Sequence, residues 1–345
     1  MKFGIVFGGA SWEHEISIVS AVVMKRALKA DLSFIFVDAQ RNFYEISPED
    51  MRANFFSLGK YKKCPKLHLT HGGFGKHGVF GLKKLDVDCY INLIHGCDGE
   101  DGKIAGLFSF YELKYIGPRL EASVLSFNKH LSKLLAAACG VKTLQYQTLR
   151  RGDDLALQMP VILKPARLGS SIGVSVISQL NQLQYALDVG FEFDDLIIAE
   201  PFIQGVREFN LAGFKADKEF VFSMIEEPSK KAFLDFEQKY LSFSGDNAKK
   251  ADISDELQSA LKQAFIQIYE AGGFDGALIR CDFFSIDEQV FLNEINPNPG
   301  SLANYLFDDF TSAVIKLAQS IKIEKKIKIE YNFISQISGQ KGKMA

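Results

Sequence analysis

Long hydrophobic runs, paired cysteines and a dominant charge are all missing from this 345-residue sequence, and each absence removes a class of function. No uninterrupted apolar stretch approaches the roughly 20 residues of a membrane-spanning helix, so no membrane partner is expected. The five cysteines, Cys64, Cys89, Cys97, Cys139 and Cys281, are odd in number and widely spaced. Without a C-x-x-C pair they do not form a structural zinc site, and they read as reduced thiols. Forty Lys and Arg against 42 Asp and Glu leave a net charge of −2 with no long single-sign run. A nucleic-acid-binding surface is therefore not expected, and any anion site must be local. The opening MKFGIVFGGAS has one lysine and a short apolar run before Gly8-Gly9, too little for the apolar core of a secretion signal, so a cytoplasmic protein is expected.

What is present is an ordinary globular composition, 47% hydrophobic and 24% charged, in a chain long enough for two to three domains. Phe3 to Phe7 is an apolar run ending at Gly8-Gly9, followed by Ile16, Val19, Val22, Val23 and Ala27 at near-helical spacing. With further runs at Leu32 to Val37 and Val87 to Ile94, this predicts strands of a parallel sheet fed by crossovers, an open α/β domain. The apolar spacing over 122–138 predicts one helix, with Ser123 as its N-cap and Gly140 just past its end. Pro160 to Lys164 and Val174 to Ile177 predict a hairpin around Gly169-Ser170-Ser171-Ile172-Gly173, and Ile197 to Glu200 predicts another strand. Leu257, Ala260, Leu261, Ala264, Phe265, Ile268 and Tyr269 predict the clearest amphipathic helix, with Ser254 before it and Gly272-Gly273 after.

Chemistry is most concentrated on the two strands that follow, Ala277 to Phe284 and Val290 to Ile295. Residues two apart in a strand share a face, so Arg280 and Asp282 project together, as do Glu294 and Asn296. If Asp282 lies opposite Glu294 and Arg280 opposite Asn296, all four converge, and the turn between the strands holds an odd number of residues centred on Glu288. Two carboxylates and an amide oxygen make a hard-oxygen set suited to Mg²⁺. Alternation on a half-buried strand pair explains the same pattern without a metal. Asn296-Pro297-Asn298-Pro299-Gly300 favours the metal, because a stiff turn there would bring backbone amides beside it.

Lys164, Arg167 and the loop 169–173 could cradle a phosphate, although a Gly-Ser tip is more often only a turn. The loop matches neither G-x-x-x-x-G-K-[ST] nor G-x-G-x-x-G. Glu13 and Glu15 follow the first strand, where an open α/β sheet binds ligands, and suit an ammonium group or merely a helix start. His95 after the third run is a ligand contact or a satisfied turn residue.

The blocks FGGASWEHEIS at 7–17, HGCDGEDG at 95–102, NK at 128–129, VILKPARLGSSIGVS at 161–175, AEPFIQGVREF at 199–209, FEQKYLS at 236–242, ALIRCDFF at 277–284 and FLNEINPNPGS at 291–301 occur in order. Together they resemble the D-alanine–D-alanine ligases of the ATP-grasp superfamily over nearly the whole chain. The resemblance implies a three-domain ATP-grasp fold whose first domain is an open α/β sheet, with domains at 1–118, 119–201 and 202–345. It implies ATP- and Mg²⁺-dependent joining of two D-alanine molecules through an acyl phosphate, for peptidoglycan precursors, by a homodimer. Two Mg²⁺ ions, with Mn²⁺ as an alternative, would be held by Asp282, Glu294 and Asn296.

Carried onto matching positions, Lys129, Lys164, Ser171 and Lys239 would serve the nucleotide phosphates, Glu200, Phe202 and Ile203 the adenine, and Glu208 the ribose. Glu13 would hold the first substrate's ammonium, linked to Ser170 and Tyr240, with His95 also on the substrate side. Arg280 and the Gly300 amide would stabilise the tetrahedral oxyanion. Tyr240 in this resemblance goes with dipeptide rather than depsipeptide formation. The chain departs from the pattern at Tyr305, where relatives carry a serine for the second carboxylate. Ser301, Tyr305 and Lys239 are the candidates for that task. A second departure is Pro201, where many relatives have lysine.

Overall fold

The computed structural model describes residues 1–78, 81–228, 249–322 and 327–334. Its first part runs β1 (Lys2–Gly8), α1 (His14–Ala27), β2 (Asp31–Val37), β3 (Phe43–Ile46), α2 (Ala53–Ser57), β4 (Lys66–Thr70), β5 (Gly73–Gly78), β6 (Gly81–Lys84), β7 (Cys89–Asn92), α3 (Lys103–Phe110) and β8 (Tyr115–Ile116). These strands form one sheet in the order β6-β5-β4-β3-β2-β1-β7-β8. Phe3, Ile5, Val6 and Phe7 are fully buried, as a central strand covered on both faces requires. The parallel pairing expected from sequence holds for β2, β1, β7 and β8. Beyond β2 the sheet turns antiparallel: β2–β3, β4–β5 and β5–β6 are joined by connections too short for a crossover, and β3 and β4 also pair antiparallel although residues 47–65 lie between them. The sheet is therefore mixed.

Gly8 ends β1 at φ +101°, and a Cβ there would stand 2.2 Å from the Val37 carbonyl oxygen. Only glycine allows that close turn. Since β2 lies on one side of β1 and β7 on the other, the strand order reverses at β1. The loops after β1 and β7, which carry Glu13 and His95, thus share the crevice where such sheets bind ligands.

Next come α4 (Leu120–Phe127), α5 (Lys129–Ala138), β9 (Lys142–Thr143), β10 (Gln147–Leu149), β11 (Val161–Pro165), β12 (Ser175–Ile177), α6 (Leu183–Phe191) and β13 (Ile197–Pro201). The single helix expected over 122–138 is two. Asn128 leaves helical geometry, and its side chain caps α5 by accepting from the His130 amide at 3.0 Å. The break also turns the apolar stripe: Val124 and Leu134, both part of the apolar spacing over 122–138, are 44% and 49% exposed, whereas Lys133 is buried. Strands β10-β13-β11-β12 form a second, antiparallel sheet, with β11 and β12 paired as the expected hairpin.

The last part is β14 (Arg207–Ala216), β15 (Glu219–Glu226), α7 (Asp255–Ala271), β16 (Ile279–Ile286), β17 (Gln289–Asn296) and α8 (Phe310–Ser320). Helix α7 is the amphipathic helix foreseen, with the Ser254 hydroxyl accepting from the Leu257 amide. The third sheet has the order β15-β14-β16-β17-β9, so β9, from the segment before the second sheet, lies at its edge.

Strands β16 and β17 pair as expected at the far end, Asp282 opposite Glu294 and Arg280 opposite Asn296. The turn is not the odd-numbered one centred on Glu288. Ile286 faces Gln289 across the two residues Asp287 and Glu288, both at positive φ, which matches the tight hairpin turn that follows strand twist. The missing residue is restored by a bulge: the register shifts between Asp282 and Phe283, and Asn293 is the extra residue. Leu292 and Ile295 both stay buried while Asn293 and Glu294 between them do not.

One continuous apolar cluster joins the first and third sheets, from Phe3 and Phe7 to Phe209, Phe265 and Val314. The second sheet packs around a cluster of its own, centred on Val161, Leu163 and Ile197.

Candidate active site

The ribbon of β16 and β17 delivers its four polar side chains as the period of two dictates. Arg280 donates to Asp282 through Nε at 2.7 Å and Nη2 at 2.8 Å, a bidentate pair, and Asn296 Nδ2 donates to Asp282 Oδ2 at 3.0 Å. Burial drives the Asp282 carboxyl above its ordinary value against the pull of Arg280, and Glu294 opposite adds to the rise. Burial works against the Arg280 charge, yet Asp282 holds the guanidinium well above its usual range. Two carboxylates facing each other across a ribbon call for a cation, and the hard-oxygen donors fit Mg²⁺. Among the described residues no group of three His, Cys, Asp or Glu gathers as a metal cage, here or elsewhere; the donors on this ribbon are two carboxylates and an amide.

A basic cradle faces this ribbon. Lys129 opens α5, and its ammonium lies 3.6 Å from Glu294 Oε2 and donates to the Leu168 carbonyl at 2.6 Å. Lys164, on β11, donates to Glu200 Oε2 at 2.7 Å and to the bulge residue Asn293 Oδ1 at 3.0 Å. The structure thus brings together Lys129, Lys164, Glu200 and Glu294, and Glu208 on β14 lies within electrostatic reach of Lys164. Glu200 is almost fully buried. Burial opposes its charge, but Lys164 and Lys133 pull its carboxyl down to about 2. Its carboxylate is engaged by lysines, so any contact to a base would come from its backbone. Phe202 and Ile203 follow, half-buried at the end of β13, with the Phe202 amide bonded to the Pro160 carbonyl.

Two residues here were not foreseen. Asn293 is found by the run Leu292-Asn293-Glu294-Ile295, where two consecutive polar residues interrupt an alternating strand. Lys133 stands four residues after Lys129 and so shares its helix face.

On the substrate side, Glu13 is buried, and the hairpin tip bends onto it. Ser170 Oγ donates to Glu13 Oε1 at 2.5 Å and the Gly169 amide approaches Oε2 at 3.3 Å. Ser170 and Ser171 both sit at positive φ, which turns the tip sharply, and Ser171 is exposed. A Cβ at Gly96, φ +69°, would stand 2.7 Å from Glu13 Oε2, so the absence of a side chain there makes room for the carboxylate. His95 is buried, with Nε2 2.8 Å from Ser20 Oγ, and that same oxygen accepts from the Ser301 amide at 3.2 Å. Ser20, also unforeseen, joins His95 to Ser301.

After Gly300 the chain makes a left-handed turn, with Ser301, Leu302 and Ala303 at φ 48°, 52° and 49°. Such a conformation costs L-residues roughly 1–2 kcal/mol each. Ser301 Oγ and Asn298 Oδ1, both buried, have no hydrogen-bond partner among the described residues. Atoms so placed are suited to a ligand. Tyr305 reaches the same wall, where its hydroxyl donates to Glu226 Oε2 at 3.1 Å beside Asn210. Lys239 and Tyr240 lie outside the described residues.

Comparison with known proteins now bears on this arrangement. Residues 2–118 match the family described as D-ala D-ala ligase N-terminus, and residues 135–316 match D-ala D-ala ligase C-terminus. The chain belongs to the D-alanine–D-alanine ligase family. It is 60% identical over 343 residues to the D-alanine–D-alanine ligase of Campylobacter concisus, covering 99% of both chains. It is 58% identical over 347 residues to that of Campylobacter jejuni, covering 100% of both. Its fold is similar to the crystal structure of the ligase from Helicobacter pylori, with a TM-score of 0.84 at 48% identity, over 94% of this chain and 100% of the other. Membership makes the chain an enzyme of the ADP-forming ligase class with the ATP-grasp fold.

Proposed function

We propose that the protein joins two D-alanine molecules into D-alanyl-D-alanine for peptidoglycan precursors, with ATP converted to ADP and phosphate. The observation that carries this reading is the pairing of Asp282 with Glu294 on one ribbon, facing Lys129 and Lys164. A carboxylate is a poor electrophile. Transfer of the γ-phosphoryl of ATP to one D-alanine carboxylate makes an acyl phosphate. The second D-alanine's neutral amine then attacks the acyl carbon, phosphate leaves, and a proton is released.

Each residue's role follows from its chemistry. Asp282, Glu294 and Asn296 would hold two Mg²⁺ ions, or Mn²⁺ in their place. Bound there, the metal supplies positive charge to phosphate oxygens. Lys129 and Lys164 orient the phosphates, which is most of what phosphoryl transfer requires of a protein. Ser171 and Lys239 would add contacts to the phosphates, and Phe202, Ile203, the Glu200 backbone and Glu208 would border the nucleoside. Glu13 holds the first ammonium. Its bond to Ser170 ties the hairpin tip to the first domain, and Tyr240 would complete that link. Arg280 and the Gly300 amide stabilise the oxyanion. His95, Ser20 and Ser301 shape the substrate side, and Ser301, Tyr305 or Lys239 would receive the second carboxylate.

The same reading carries the three-domain division at 1–118, 119–201 and 202–345, with residues 120–143 packed on the third sheet. It places the protein in the cytoplasm, consistent with the lack, among the described residues, of any helix long and apolar enough to cross a membrane. A homodimer would have Leu107, Phe110, Leu120 and Val124, exposed on α3 and α4, available for its interface.

The test is incubation with ATP, Mg²⁺ and single D- or L-amino acids, reading phosphate release and product mass. D-Alanine alone should yield phosphate and dipeptide. Release only with other amino acids would overturn the substrate assignment. Tyr240→Phe should raise the fraction of ester product when D-lactate competes, and an unchanged ratio would remove Tyr240 from acceptor choice.

A further inference from the structure

The buried pair of α5 and β13 carries more charge than the reaction above uses. Lys133 is 2% exposed, and its ammonium donates to Glu200 Oε1 at 2.5 Å, while Lys164 holds Glu200 Oε2 at 2.7 Å. One carboxylate therefore serves two lysines, one on each oxygen. Lys133 also lies 5.3 Å from the Tyr146 ring centre, which favours its cation there. Burial pushes the Lys133 ammonium down, so its charge depends on Glu200.

The two lysines are not equivalent. Lys164 has a second, neutral partner in Asn293 and is the more exposed, at 12% against 2%. If a phosphate draws Lys164 toward itself, the contact to Glu200 lengthens or breaks. A buried carboxylate stripped of its only cation is strongly destabilised, so with Lys164 as sole partner that movement would be opposed. Lys133 stays on the other oxygen and removes the penalty.

We propose that Lys133 is a positioning residue for nucleotide binding: by sharing the Glu200 carboxylate, it leaves Lys164 free to exchange that carboxylate for a phosphate. The inference rests on the reading of the cradle as an ATP site. In the resting cradle Lys133, Lys164 and Glu200 sum to one positive charge, available to the phosphate. Without Lys133 the sum is zero, and Lys164 is committed to Glu200.

The experiment is calorimetric titration with Mg-ADP, without amino acid, on the wild type, Lys133→Met and Lys133→Met/Glu200→Gln, with KM for ATP and for D-alanine measured beside it. Lys133→Met should weaken Mg-ADP binding about tenfold, by roughly the worth of one charge-assisted contact, and raise KM for ATP while KM for D-alanine stays within twofold. The double variant removes the competing carboxylate and should bind Mg-ADP within threefold of wild type, although it is no more stable to heat than the single variant. A purely structural Lys133 would lower the melting temperature and leave the affinity of the folded protein unchanged, which overturns the proposal. So does failure of the second substitution to restore binding. Should Lys133→Met not fold, the double variant decides alone, and tenfold weaker binding there overturns the proposal. A wild type that does not bind Mg-ADP refutes the nucleotide reading itself.

Discussion

The second sheet and the pair formed by the first and third sheets are held in different ways. Eight buried apolar residues form the second sheet's own cluster, whereas the first and third sheets share one continuous cluster that neither can leave without exposing aromatic surface. The second sheet meets its neighbours largely through polar links: Ser170 to Glu13, Lys164 to Asn293, Lys129 to the Leu168 carbonyl. Water can replace such bonds at little cost, but it cannot replace apolar burial. The difference teaches that the first and third sheets form one apolar base carrying the proposed metal ligands. On the nucleotide reading proposed above, the second sheet, bearing Lys164 and the hairpin tip, is the part whose polar links would give way for a nucleotide to enter.

The comparison breaks first at the chemistry. Asp282→Ala or Glu294→Ala should abolish dipeptide formation while circular dichroism stays close to wild type, with melting lowered in Asp282→Ala because the buried Arg280 loses its bidentate partner; ATP-dependent turnover in both would remove the metal assignment. Arg280→Gln on the same base should lower kcat by about 10²–10³, the usual loss for one oxyanion donor, seen in single-turnover rates. Two core truncations then sharpen the contrast. Phe209→Ala, in the shared cluster, should cost about 3–5 kcal/mol and lower the main thermal transition, whereas Leu163→Ala, in the separate cluster, should cost about 2–5 kcal/mol. The Leu163 loss should appear in hydrogen exchange of β11 and β13 and in weakened Mg-ADP binding, while amides of β1 and β16 keep their protection. Equal loss across all three sheets would contradict the division. The smallest effect concerns Trp12, the single tryptophan, whose ring packs edge-on against Phe193 at 5.4 Å across the two parts. Phe193→Ala should cost about 0.5–1.5 kcal/mol and shift the Trp12 emission response to nucleotide, and an unchanged response would place that contact outside the opening movement.

Most of the fold was legible because period and punctuation are local. The strand β1 with its Gly8-Gly9 turn, the helix α7 and the pairing of Asp282 with Glu294 all follow from spacing. The split at Asn128 was missed because the apolar positions run on across it, although an asparagine inside such a run is itself a cap signal. Residues 47–83 read as loop plus short strands, and the strands are there, but their antiparallel pairing could not be read because such short apolar runs carry little periodicity. In the site, the ribbon residues and the cradle lysines could be read from the sequence. Lys133 and Ser20 could not, because their meaning lies in partners 67 and 75 residues away. The left-handed turn at Ser301 has no glycine within it to announce it.

Asn293 has a consequence for how the ribbon tolerates changes in length. Inside a regular strand, loss of one residue inverts everything downstream, but at this position two residues already oppose one. Excising Asn293 would leave Glu294 across from Asp282 and Asn296 across from Arg280, in an unbroken ladder. What would vanish is the amide that steadies Lys164 and the local bend that bulges impose. The ribbon could thus be shortened there with its acidic face intact, at the cost of its grip on the neighbouring lysine.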